Sequence, residues 1–150
     1  MNPVIRPIPV AAARLLRQRV LRPHQPPDAC VYPLDDRPET GHFGAFRDGE
    51  LIGAASVFRE APGPESAPGA WRIRGMATDP GVRGAGHGRA LLQRCLEHAA
   101  AAGGTEVWCN ARTTAAGFYG RHGFRQVGPG FEVEWIGLHL RMHCQLPNDA

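Results

Sequence analysis

Val82–Leu92 reads VRGAGHGRALL. Gly84, Gly86 and Gly88 alternate with other residues, Arg83 precedes them, Arg89 follows, and an apolar helical pattern takes over. An apolar run ends shortly before, near Ala77. The first N–H groups of a helix find no partner within it and, with the helix dipole, attract an anion. Glycine permits the positive φ angles that point successive N–H groups at one ligand, and lets that ligand lie against the backbone. Arg83 and Arg89 add charge suited to phosphate oxygens. The residues describe a cradle for a diphosphate. The alternative is a plain turn, in a chain where 19 of 150 residues are glycine. A nucleoside-triphosphate loop needs Gly-Lys-Ser/Thr, and this chain has no lysine. A dinucleotide fingerprint needs G-x-G-x-x-G directly after a strand. Here the spacing is G-x-G-x-G after a six-residue gap.

The elements that must position this loop are legible as local patterns. Pro9 to Val20 reads as a helix with Val10, Ala13, Leu16 and Val20 on one face and Pro9 at its first position. Arg22 to Thr40 carries five prolines and three aspartates and is irregular. His42 to Phe46 and Leu51 to Phe58 form a hairpin around Asp48-Gly49. Arg59 to Ala70 is an exposed, mobile loop of Pro, Gly, Ala and Ser. Trp71 to Thr78 is a strand. Gly86 to Ala102 is a helix with Leu91, Leu92, Cys95, Leu96 and Ala99 on its buried face, stopped by Gly103-Gly104. Thr105 to Ala111 is a short buried strand, Thr113 to His122 a short helix ended by Gly123, FRQVG a brief strand, and Leu138 to Leu146 a last strand. No repeat and no second domain is visible. The expectation is one mixed α/β domain over residues 1–150, helices laid on a sheet.

Two motifs together resemble the GNAT N-acetyltransferase superfamily. Its coenzyme A loop is Arg/Gln-x-x-Gly-x-Gly/Ala at a helix start, matched by Arg83, Gly86 and Gly88. Its second signature is an alanine, an aromatic-Tyr pair and Gly-Phe around a short helix, matched in AAGFYGRHGF by Ala116, Phe118-Tyr119 and Gly123-Phe124. The likeness spans Trp71 to Phe124, and WCNAR with the following GFY is similar to the small ElaA-like branch. The resemblance implies a twisted, mostly antiparallel sheet flanked by helices, with parallel fourth and fifth strands that splay apart, here Trp71–Thr78 and Thr105–Ala111. It implies acetyl-CoA as co-substrate. Met76, Ala77 and Thr78 would meet the pantetheine arm, and Arg83, Gly84, Ala85, Gly86, His87 and Gly88 the pyrophosphate through main-chain N–H, with Arg89 adding charge. Asn110 would bond the cofactor or the acetyl carbonyl, with a turn or capping role as its alternative. Tyr119 would protonate the leaving CoA thiolate, since a tyrosine with pKa about 10 is a neutral donor near pH 7. The family often has Asn six residues before that Tyr; Thr113 stands there instead and could cap the helix.

The reaction implied is direct attack by a primary amine of a small molecule or peptide on the thioester. The general base is open among Glu60, Glu132, Glu134, His122 and His139. The acceptor pocket is expected from Arg22–Thr40 and Gly128–His139, with Asp35, Asp36, Glu132 and Glu134 able to attract a cationic amine. A non-catalytic acyl-CoA-binding module on the same fold is the alternative, disfavoured by the presence of Tyr119. The arginines form no concentrated run, which speaks against nucleic acid. His139 and His143 lack further ligands, which speaks against a metal. No 18-residue apolar run or leader pattern is seen, and the expected location is cytoplasmic, with no membrane partner. Four scattered cysteines are expected to be reduced and mostly buried. A homodimer through Leu138–Leu146 is the oligomer the resemblance allows.

Overall fold

Strand and helix patterns in this order build helices onto a sheet. The computed structural model describes residues 3–64, 66, 68–82, 84–134 and 136–147. Among them are eight strands and three α-helices in two compact units, Met1–Phe58 with Ile73–His98, and Arg59–Arg72 with Ala99–Ala150.

In the first unit the strands hydrogen-bond in the order β1 (Val4–Pro7), β2 (Gly41–Arg47), β3 (Glu50–Arg59), β4 (Ala70–Thr78). β2 and β3 are an antiparallel hairpin whose turn residues Asp48 and Gly49 both take positive φ, 51° and 81°. That conformation matches the twist of the strands it joins. β3 is buried without a break from Ile52 to Phe58, so it is covered on both faces. Its small residues allow close approach from each side. A Cβ on Gly53 would stand 3.2 Å from Leu91 of helix α2 (His87–Ala101), and Ser56 on the opposite face bonds Arg17. Helix α1 (Val10–Leu16) packs against β2 and passes into a π-helical turn, Arg17–Leu21.

In the second unit the first three residues of β4 pair in parallel with β5 (Glu106–Arg112): Ala70 with Glu106, Trp71 with Val107, Arg72 with Trp108. β4 itself runs on to Thr78. β5 pairs antiparallel along its whole length with β8 (Gly137–Gln145). The other edge of β8 is taken by β6 (Arg125–Gln126) at Met142–His143 and by β7 (Phe131–Val133) at Gly137–His139. A dimer built by strand addition to β8 would have to displace them. Helix α3 (Thr113–Arg121) packs against β5 and β8.

The fold class is the expected one: a mixed sheet, mostly antiparallel, with parallel β4 and β5. Two strands were not anticipated. β1 is a four-residue, Pro-ended segment with no alternation, made a strand by its register against Phe43–Phe46 of β2. β7 is three residues long and held by β8. Arg59 and Ala70, read as loop ends, are strand residues. Pro9 is the extended N-cap of α1, not its first residue. The expected apolar face of α1 is also revised: Ala13 and Leu16 are buried, but the third buried residue is Arg17, and Val10 and Val20 are only half-buried.

Candidate active site

The phosphate-type loop lies wholly in the first unit. β4 ends at Met76, Ala77 and Thr78, followed by Asp79 and a short turn, Pro80–Val82. Asp79 anchors the loop: its N–H donates to Ile52 O at 2.8 Å, and its carboxylate accepts from Arg19 at 2.9 Å. Gly84 and Gly86 have φ of 89° and 86°, a region other residues rarely adopt. Among the described residues nothing lies within 4 Å of a Cβ built on Gly84, and only Pro3 Cγ, at 3.9 Å, near one on Gly86. Conformation, not crowding, calls for glycine here, and the space in front of the backbone is open. Gly86 O accepts the first helical bond, from Ala90 N–H. The first turn of α2 carries no acidic side chain, so nothing opposes an anion there. Gly84, Ala85, Gly86 and Arg89 are exposed, and Gly88 is half-buried. His87 is buried, and among the described residues its Nδ1 has no hydrogen-bond partner. The sequence signature of this loop therefore coincides with a helix start, open glycines and an unmet polar atom. Arg83, expected to lead the loop, lies outside the described residues.

Upstream, Gly75 within β4 has a φ of 67°. A positive φ inside a strand interrupts its ladder. A Cβ on Gly75 would come within 2.8 Å of Arg17 Nε. Arg17 is the functional-looking group that sequence reasoning missed. It forks onto both Asp35 oxygens, donates to Cys30 O and Ser56 Oγ at 2.9 Å each, and lies 4.0 Å from the Tyr32 ring, which Arg74 also stacks on at 3.9 Å. Burial by itself would raise the Asp35 pKa, but hydrogen bonds from Arg17 and the Tyr32 N–H outweigh it and hold the carboxyl below its ordinary value. Asp35 is thus committed to Arg17 and Arg14 and does not serve as an attractor for an amine. Asp36 is exposed and only loosely paired with Arg14.

The other expected residues lie in the second unit. Asn110 is half-buried on β5, its Oδ1 accepting from Arg141 Nε at 3.3 Å. Tyr119 is 6% exposed in α3, its ring edge-on to Phe118 and Phe124 at 5.2 and 5.3 Å. Thr113 is the first helical residue of α3, not its cap; the cap position is Arg112, with no side-chain capping bond. Of the candidate bases, Glu60 is ion-paired with Arg72 at 3.0 Å, and Glu132 and Glu134 are exposed. His122 lies against Phe118 at 5.0 Å. His139 is buried, donates from Nδ1 to Gly137 O at 2.9 Å and lies against Phe131. Among the described residues no three His, Cys, Asp or Glu side chains are grouped to hold a metal ion, and no helix is long and apolar enough to cross a membrane.

A mixed sheet with a parallel β4–β5 pairing and an anion-ready loop between β4 and α2 are the features that the resemblance to the acyltransferases implies. The model of the acetyltransferase (GNAT) family matches residues 11–124, and this chain belongs to that family. It is an acyltransferase. The chain is 37% identical over 131 residues, 87% of its length and 88% of the relative's, to the uncharacterized N-acetyltransferase YitI of Bacillus subtilis (strain 168). The fold is shared with Escherichia coli ElaA, at TM-score 0.76 and 20% identity over 95% of this chain and 99% of that one. It is shared too with an aminoglycoside 6'-N-acetyltransferase complexed with coenzyme A, at TM-score 0.76 and 12% identity over 98% of this chain and 99% of that one.

Proposed function

We propose that the protein transfers the acetyl group of acetyl-CoA to a primary amine of a small molecule or peptide. The observation that carries this reading is the pair of open, positive-φ glycines, Gly84 and Gly86, at the start of α2. Main-chain N–H groups of Arg83, Gly84, Ala85, Gly86, His87 and Gly88 would receive the pyrophosphate, with Arg89 adding charge. Main-chain groups of Met76, Ala77 and Thr78 would receive the pantetheine arm, and the Asn110 amide would bond the cofactor or the acetyl carbonyl. The acceptor nitrogen attacks the thioester carbon, the C–N bond forms and the C–S bond breaks. A backbone N–H near Met76 would hold the developing oxyanion. Tyr119 donates its proton to the departing thiolate, and the amine proton leaves to solvent or a base. The thioester is already activated, so positioning supplies most of the acceleration.

The test is thiol release from acetyl-CoA over a panel of amines, for the wild type and Tyr119→Phe. Loss of a proton donor predicts a fall in kcat of about 100-fold or more, with acetyl-CoA affinity changed less than about twofold. An unchanged kcat would remove Tyr119 from the reaction. Tight acetyl-CoA binding with no thiol release for any amine would favour a binding module instead.

A further inference from the structure

One face of the second unit's sheet is almost entirely polar. The β5–β8 register sets Trp108 opposite His143, Asn110 opposite Arg141 and Arg112 opposite His139, with Glu106 on the same side, and the parallel pairing adds Arg72 beside Trp108. The opposite face carries Trp71, Val107, Cys109, Ala111 and Met142, all buried. On the polar face, two of the basic side chains meet carboxylates. Arg72 pairs with Glu60, and His143 Nδ1 with Glu106.

Arg141 differs from Arg72 and His143. It is half-buried, and among the described residues it meets no carboxylate. Its Nε donates to Asn110 Oδ1 and its Nη1 to Pro62 O, both at 3.3 Å, and its guanidinium lies 5.0 Å from the Trp108 ring. These partners are neutral oxygens at long distance. Arg72 flanks the same ring at 4.7 Å, and its Nε is buried with no partner among the described residues. A half-buried guanidinium compensated only by dipoles keeps a strong pull on an anion, and its flat edge suits a carboxylate. A phosphate dianion there would also be set against Glu60 and Glu106.

We infer that Arg141, held by Asn110 and Pro62 beside Trp108, receives a carboxylate of the acyl acceptor, which makes the acceptor an amino acid or a similar small amine bearing a carboxylate. This rests on the acetyl-transfer reading for the word acceptor, so the test uses binding that needs no donor. N-acetyl amino acids, the expected product form, are titrated by calorimetry beside their carboxamides. A charge-assisted bond predicts that at least one acid binds about tenfold or more tightly than its amide. Arg141→Gln should bring that pair within about twofold, and Arg141→Lys, which keeps the charge without the fork, should fall between. Thermal melts of both variants serve as the folding control. Equal binding of acids and amides, no binding of any acid, or a preference that survives in Arg141→Gln would overturn the inference. Failure of the acetyl-transfer reading shows separately, as absent acetyl-CoA binding by the wild type.

Discussion

Arg17 and Asp35 form a two-point fork, Nη1 to Oδ2 at 2.8 Å and Nη2 to Oδ1 at 2.9 Å, with side chains 1% and 0% exposed. The fork ties the π-helical turn after α1 to the irregular segment that follows, beside the positive-φ residue Gly75 of β4. Removing one partner strands the other charge in the interior. Arg17→Ala should therefore cost about 3–5 kcal/mol in urea unfolding. Arg17→Met together with Asp35→Leu should cost clearly less than Arg17→Ala alone, because neither charge is left behind. A loss under about 1 kcal/mol for Arg17→Ala would show that the fork contributes little.

Stability should fall with acidification before the carboxylates titrate. His42 Nε2 donates to Asp35 O at 2.9 Å, so its Nδ1 accepts from Ser56 Oγ at 2.6 Å. Burial and the Arg17 charge lower the His42 pKa against the smaller opposing pull of the Asp35 carbonyl and carboxylate. The folded chain then takes up this proton at lower pH than the unfolded chain, whose value is about 6.5. Stability from His42 is present above that pH and is lost as pH falls through the window below it. The lowered Asp35 adds a second loss below the ordinary aspartate range, near 3.8. Urea midpoints measured from pH 7.5 to 5 should decline, with a flatter profile for His42→Gln. Parallel profiles for the two proteins would contradict this.

Gly104 has no room for a side chain. A Cβ there would lie 2.7 Å from Ala99 O and 2.7 Å from Trp71 Cδ1. Since a carbonyl at the end of α2 cannot give way as a flexible side chain would, Gly104→Ala should destabilise by about 1–3 kcal/mol. Gly103→Ala meets nothing but demands φ near +84° of an alanine, at a cost of about 1 kcal/mol. Thermal melts of both variants check the ranking.

Thiol chemistry should single out Cys144. Burial raises Cys95 and Cys109 to about 12, and Cys30 is buried with a raised pKa as well. Cys144 is raised too but is partly exposed. Native protein treated with a maleimide at pH 7.5 should gain one label, mapped to Cys144 by mass spectrometry. Rapid labelling of Cys95 or Cys109 would contradict the packing described.

What was readable in the sequence was local. Asp48-Gly49 announces its turn, the α2 pattern runs from the glycine loop to Gly103, and the loop and Tyr119 signatures carry the family. What was unreadable depends on distant partners. Val4–Pro7 becomes a strand only against Phe43–Phe46, and Phe131–Val133 only against β8. Arg17 looks like a solvated helix residue until Asp35, eighteen positions on, folds over it. Asp35, read as an amine attractor, is taken by that same contact. Arg141 gave no signal, because its neutral partners, Asn110 and Pro62, are brought to it only by the fold.

The most direct measurement is a calorimetric titration of acetyl-CoA into the wild type and Gly86→Glu. The glutamate forces a side chain onto a positive φ and sets a negative charge where phosphate is expected. Binding near −8 kcal/mol, about micromolar, that disappears in a folded Gly86→Glu is the predicted result. No heat with the wild type, or equal affinity in the variant, would contradict the assignment of this loop to the acyl donor.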